Sequence, residues 1–263
     1  MKGRGNMYTF EIRFFPKTFE DSEYLSEFNQ YMHGFISALY KNGQIPGDFG
    51  NKVKFDDHYA CRVVSYEMDS LNEKYYNEYC NNCLAKIIEL SDKAPEFHFV
   101  GKNHDLRDSC ACESPSHYIL LQSSDGESPV VCGDCLEGVP LYKLPKIVHK
   151  DHYEILWWEW KCDAYVTQFI GWHGKEERHC YKMISDPKSK LSKEGRRLCK
   201  KMEKLTKKPF YYFLYNWYKD NKKTCPKCKK NWVNKDWDSN KKKIRYEYVC
   251  KKCRLVSNDM MLK

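Results

Sequence analysis

Fourteen cysteines stand in this chain of 263 residues, and eight of them fall into two quartets built from closely spaced pairs. The C-terminal quartet is Cys225 and Cys228 followed by Cys250 and Cys253, with two residues inside each pair and 21 between the pairs. The middle quartet is Cys110 and Cys112 followed by Cys132 and Cys135, with one residue inside the first pair and 19 between the pairs. A tight turn carrying two thiolates supplies one edge of a metal tetrahedron, and a second turn supplies the opposite edge. Each quartet is therefore expected to hold one structural zinc ion, two in all. His104 and His117 lie close enough to the middle quartet to replace one cysteine there; the all-cysteine set is the expectation. With four protein ligands apiece, neither ion keeps a position open for water, so catalysis by metal is not expected.

The remaining cysteines read differently. Cys80 and Cys83 have the same spacing but sit in a helical pattern, where positions three apart share one face. They are expected to be small core residues, because a redox pair of the thioredoxin kind needs its helix to begin at the first cysteine. Cys61, Cys162, Cys180 and Cys199 stand alone and read as packing. Thiols in these numbers suit a reducing compartment. The N-terminal segment reads as a strand and not as a secretory signal, and no apolar run reaches membrane-spanning length. The expectation is a cytoplasmic protein that does not enter a membrane.

Hydropathy patterning outlines an α+β protein. Residues 8–14 alternate Tyr8, Phe10, Ile12 and Phe14 with polar side chains, as a half-buried strand does. Leu25, Phe28, Met32, Phe35, Ile36 and Leu39 recur at helical spacing, and Gly43 can close that helix. Residues 53–68 read as one long strand or two short ones. Asp69 or Ser70 is expected to cap a second helix, and residues 96–100 form another strand. The result is a β-α-β-α-β domain over residues 1–101. A first zinc module follows over residues 102–145, inserted or appended, with a strand at 118–122. A helical and aromatic connecting region covers residues 146–221 and a C-terminal zinc ribbon residues 222–263. Within the connecting region a helix over 153–172 is expected to lie against the first domain. Ser192 is expected to cap the next helix, and residues 210–218 read as strand. His173, Glu176, Glu177 and His179 cluster in sequence and read as a solvated polar loop.

Charge is unevenly distributed. Residues 1–187 hold 20 Lys+Arg against 29 Asp+Glu, whereas residues 188–263 hold 25 against 7. The basic part interleaves its cations with aromatics, a combination suited to phosphates and unpaired bases. Lys229, Lys230, Trp232, Lys242, Lys243 and Arg245 are the candidate nucleic-acid contacts. Two other uses of the same charge are stabilising the thiolates and docking on the acidic N-terminal part. No phosphate-cradling glycine motif, nucleophile elbow or paired-histidine metalloprotease motif occurs.

The segments SPVVCGDCLEGVPLYKLP (128–145), SDPKSKLSKEGRRLCKKMEKLTKKPFYYFLY (185–215), CPKCKKNW and CKKCRLVSN, with MYTFEIRF and DSLNEKYYNEY nearer the N-terminus, resemble an uncharacterised bacterial family. That family is described as zinc-ribbon-containing and, by inference from the ribbon, nucleic-acid-binding. The resemblance implies zinc at Cys225, Cys228, Cys250 and Cys253 and supports the middle quartet. The leading expectation is thus a non-enzymatic, zinc-stabilised nucleic-acid-binding protein, its partner RNA or DNA. The competing one is a protein-binding module, such as an immunity or antitoxin protein that blocks a toxin.

Overall fold

Phe10, Ile12 and Phe14 send their side chains to one side of a strand, and all three are buried. Around that strand the computed structural model assembles an α+β chain, describing residues 4–47, 52–104, 108–122, 127–148, 150–171, 175–218, 223–234 and 246–258. The described residues divide into two compact units. The first comprises Met1–Ala111, Asp125–Ser128 and Glu137–Tyr153; the second comprises Cys112–Ser124, Pro129–Leu136 and Glu154–Lys263.

The first unit runs β1 (Arg4–Gly5), β2 (Tyr8–Pro16), α1 (Ser22–Lys41), β3 (Lys52–Lys54), β4 (Tyr59–Ser65), α2 (Glu78–Glu89), β5 (Ser91–Lys102) and β6 (Ser109–Cys110). The region 53–68 is therefore two strands. Its four-stranded sheet has the order β3-β4-β2-β5 with every neighbouring pair antiparallel. A β-α-β-β-α-β chain with that order is the split β-α-β arrangement, one strand richer than the β-α-β-α-β expectation. Phe14 meets Phe35 of α1 edge to face at 6.4 Å, and α1 in turn packs against α2. Asp21 caps α1 by accepting from the Glu23 and Tyr24 amides, and Gly43 ends it at φ +79°, as expected. A Cβ on Gly43 would lie 2.3 Å from that of Leu141, so the close approach also demands glycine.

The second helix begins later than its sequence suggests. Residues 73–75 form one 3₁₀ turn capped by Asn72, and α2 itself is capped by Asn77, which accepts from the Cys80 amide at 2.9 Å. Asp69 and Ser70 are spent elsewhere. Asp69 takes Lys74 and the Tyr75 hydroxyl, and the Ser70 hydroxyl accepts from the Glu67 amide. Cys80 consequently lies in the first turn of α2 and not mid-helix. It is fully buried, and burial pushes its thiol up to about 11. The inert reading of Cys80 and Cys83 thus survives the change of register.

The second unit contains β7 (Tyr118–Leu120), β8 (Val130–Cys132), α3 (Tyr153–Gly171), α4 (Lys175–Ser185), α5 (Lys190–Thr206), β9 (Phe210–Phe213), β10 (Tyr248–Cys250) and β11 (Leu255–Ser257). Its sheet has the order β10-β11-β9-β7-β8: two antiparallel hairpins, each joined to the central β9 by parallel pairing. Phe210, Tyr211 and Tyr212 are all buried, as befits a central strand covered on both faces. The strand stops at Phe213, short of the 210–218 expected.

One face of this sheet gathers Ile119, Tyr211 and Val256. On the other, Trp158 of α3 meets Tyr212 at 5.7 Å and donates its indole N–H to the Leu191 carbonyl of α5. Trp158 of α3 is thus packed against β9 and α5 of the same unit. Ser189, not Ser192, caps α5: its hydroxyl accepts from the Ser192 amide at 3.0 Å. His179, Glu176 and Glu177 belong to the helix α4 and not to a loop, and Glu177 accepts from the Tyr218 hydroxyl. His173 lies outside the described residues. Among the described residues no helix is long and apolar enough to cross a membrane.

Candidate metal centres and a basic cleft

Both quartets close into clusters. In each, the four Sγ atoms lie within 4.8 Å of one another, with two of the four cysteines buried and two half-buried. Neither His104 nor His117 joins the middle cluster, so the all-cysteine set is the one assembled. His117 instead lies under the turn at Gly133, its ring edge-on to Tyr211 at 5.4 Å, and burial lowers its pKa.

Backbone geometry explains why these pairs converge. Among the described residues four non-glycines have positive φ, and three of them directly follow the second cysteine of a Cys-x-x-Cys pair. These are Leu136 at 68°, Lys229 at 61° and Arg254 at 53°. A left-handed residue there folds the chain back, so that both sulfurs and the intervening amides face one point. The Leu136 amide donates to the Cys132 carbonyl and the Lys229 amide to the Cys225 carbonyl, both at 2.9 Å. Side chains pay about 1–2 kcal/mol for that conformation, which persists only where surrounding bonds impose it. The helical pair Cys80 and Cys83 has the same spacing without the left-handed step, which separates knuckle from helix where sequence spacing alone does not.

The donor set fits a thiophilic cation. A tetrahedron with metal–sulfur bonds of about 2.3 Å has sulfur–sulfur edges of about 3.8 Å. The Cys228 and Cys250 sulfurs are 3.7 Å apart. The Lys230 amide donates to Cys228 and brings its thiol down to about 7, whereas burial pushes Cys253 up. A divalent cation would hold all four as thiolates, and its own charge would dominate the local balance. Either cluster could hold a metal ion.

The candidate nucleic-acid residues separate in the structure. Lys229 and Lys230 are exposed on the first knuckle of the C-terminal cluster. Trp232 is only 7% exposed and stacks on Tyr248 at 5.3 Å, so its ring fills the interior and offers no face to a base. Lys242, Lys243 and Arg245 lie outside the described residues.

A feature absent from sequence reasoning lies beside the same cluster. Lys193, Arg196, Arg197 and Lys200 of α5 face Lys227, Lys251, Lys252 and Arg254 of the two knuckles across a cleft of about 520 Å³. The α5 residues recur at steps of three and four, the helical face rule, but which other cations they would meet was not legible in one dimension. Glu203, the one acid lining the cleft, holds Arg254 through two bonds of 2.9 Å and fixes knuckle to helix. The Arg254 guanidinium correspondingly lowers the Glu203 pKa.

Comparison with known proteins follows the same division of the chain. A Haemophilus influenzae protein is 33% identical over 214 residues, covering 76% of this chain and 77% of the relative. A second protein of that organism is 34% identical over 176 residues, covering 62% of this chain and 80% of the relative. The chain belongs to one family with these proteins. Both relatives are named only as uncharacterised proteins. Two domain models of unknown function match this chain, DUF8589 over residues 7–101 and DUF2310 over residues 112–215. No solved structure matches.

Proposed function

We propose that this family member is a non-enzymatic nucleic-acid-binding protein whose two four-cysteine clusters each hold a structural zinc ion. The observation that carries the binding proposal is the cleft between α5 and the C-terminal knuckles. Eight cations line it, and its one acid is already engaged by Arg254. Like charges gathered on two facing walls repel one another, and a polyanion converts that repulsion into attraction while releasing its own counterions. A four-thiolate zinc site carries a formal charge of −2, too little to neutralise the cleft. Zinc is supported by the all-sulfur, tetrahedrally spaced donors, and a closed tetrahedron suits a structural role.

The test is purification of the full chain with and without nuclease treatment, followed by titration with labelled nucleic acid at rising salt. Co-purifying nucleic acid and an affinity that falls steeply with salt are expected. Absence of binding at low salt retires the proposal. A salt-tolerant complex with a protein partner would put the immunity or antitoxin reading in its place.

A further inference from the structure

We infer that Arg196 is the anchoring phosphate contact of the basic cleft, and that the ligand it anchors is the backbone of a double-stranded nucleic acid. This rests on the nucleic-acid reading above and narrows it. Arg196 lines the cleft, yet its Nε is buried with no hydrogen-bond partner. A guanidinium cannot shed its charge, so an unpaired buried N–H on it is costly until an acceptor arrives. A phosphate oxygen is the matching acceptor, taking parallel bonds from the planar fork. A second cleft arginine, Arg254, already spends its guanidinium on Glu203.

Around Arg196, Lys193, Arg197 and Lys200 are exposed on the same stretch of α5. From residue 193 to 200 the helix rises about 10 Å. One strand of a duplex presents a phosphate about every 3.4 Å along its axis, so the stripe matches about three consecutive phosphates.

The preference for a duplex follows from where the aromatics went. Single-strand binders pair a basic groove with exposed rings on which bases stack. Here Tyr211, Tyr212, Tyr215, Trp232 and Tyr248 are all at most 9% exposed, and Tyr218, 49% exposed, does not line the cleft. Phe210, the one aromatic lining the cleft among the described residues, is 1% exposed. The cleft therefore offers charge without a stacking platform, which favours the denser phosphate array of a duplex.

The experiment is fluorescence anisotropy with the full, metal-loaded chain. The probes are a 20-base-pair DNA duplex, a 20-base-pair RNA duplex and each labelled strand alone. Both duplexes are expected to bind at least tenfold more tightly than their strands. Arg196→Ala should weaken duplex binding about tenfold and reduce the salt slope by about one. Arg196→Lys should recover little, because an ammonium lacks the fork. Strands binding as tightly as duplexes overturn the inference and leave the general reading intact. Failure of every probe at low salt retires that reading itself. Unchanged affinity in Arg196→Ala, or full recovery in Arg196→Lys, removes the anchoring role. Circular dichroism and metal content establish that each variant is folded. The exposed pair Lys193→Glu and Lys200→Glu provides a second measurement, and undiminished binding there overturns the assignment of the cleft.

Discussion

Leu136, Lys229 and Arg254 show how a single residue can carry the geometry of a cysteine-pair turn. Each adopts a left-handed conformation that its own side chain disfavours. Lys229→Gly is therefore expected to raise the stability of the metal-loaded protein by up to about 1 kcal/mol, while Lys229→Val lowers it, measured by thermal unfolding with bound metal held constant. Equal midpoints for the two variants would mean that the turn stores no strain. A second residue-scale expectation concerns His152, 2% exposed with both ring nitrogens buried and unpartnered. Burial, reinforced by Lys146, holds its pKa down at about 3. In the unfolded chain the imidazole titrates near its ordinary value of about 6.5, so between those limits the unfolded state binds the extra proton. Its contribution is fully present above about pH 6.5 and is lost as pH falls towards 3, by a few kcal/mol at the acid end. His152→Phe should flatten the dependence of urea midpoint on pH across that window. A parallel curve in the variant would exclude His152 as its source.

At the scale of elements, α5 owes its position to a glycine. A Cβ at Gly195 would lie 2.2 Å from the Tyr212 ring and 2.7 Å from the Trp158 indole nitrogen. Alanine is favoured over glycine in a helix interior by about 1 kcal/mol, but overpacking costs about 1–3 kcal/mol, and both rings are about 1% exposed. Gly195→Ala is expected to be net destabilising by about 1 kcal/mol in chemical unfolding; a gain in stability would show that the rings yield. The C-terminal ribbon is likewise not a free-standing module. Its strand β11 pairs with β9, the Tyr212 amide donates to the Arg254 carbonyl and the Leu214 amide to the Val256 carbonyl. Cys250→Ser should therefore raise amide exchange at Tyr212 and Leu214 at least tenfold, while Ile12 and Val63 of the first unit keep their protection. Unchanged exchange at β9 would show that the hairpin opens alone.

For the whole molecule the first expectation is stoichiometric. Elemental analysis of the purified chain should return two zinc ions, released by chelator with loss of structure around the clusters. One ion would discard one cluster, and none would discard both. The basic excess of residues 188–263 also acquires a location at this scale. Part of it is gathered into the cleft, where Phe210, the one aromatic in the lining among the described residues, is buried.

The cysteine spacing by itself determined both four-cysteine clusters, because two short turns carrying paired sulfurs leave few ways for the four to converge. Periodicity likewise determined β2, α1 and the α+β class, since burial on one face imposes a period that the residues record directly. Helix starts were less legible. Asp69, Ser70, Asn77, Ser189 and Ser192 are all chemically able to cap, and tertiary partners decide which amide each one meets. Only the tertiary structure decided that residues 118–132 and 248–257 share one sheet through β9, and that α5 faces the C-terminal knuckles across a cleft lined with cations. The physical reason is separation along the chain. Local preference reports what each segment can become, whereas parallel pairing and facing charges depend on which distant segments close against one another.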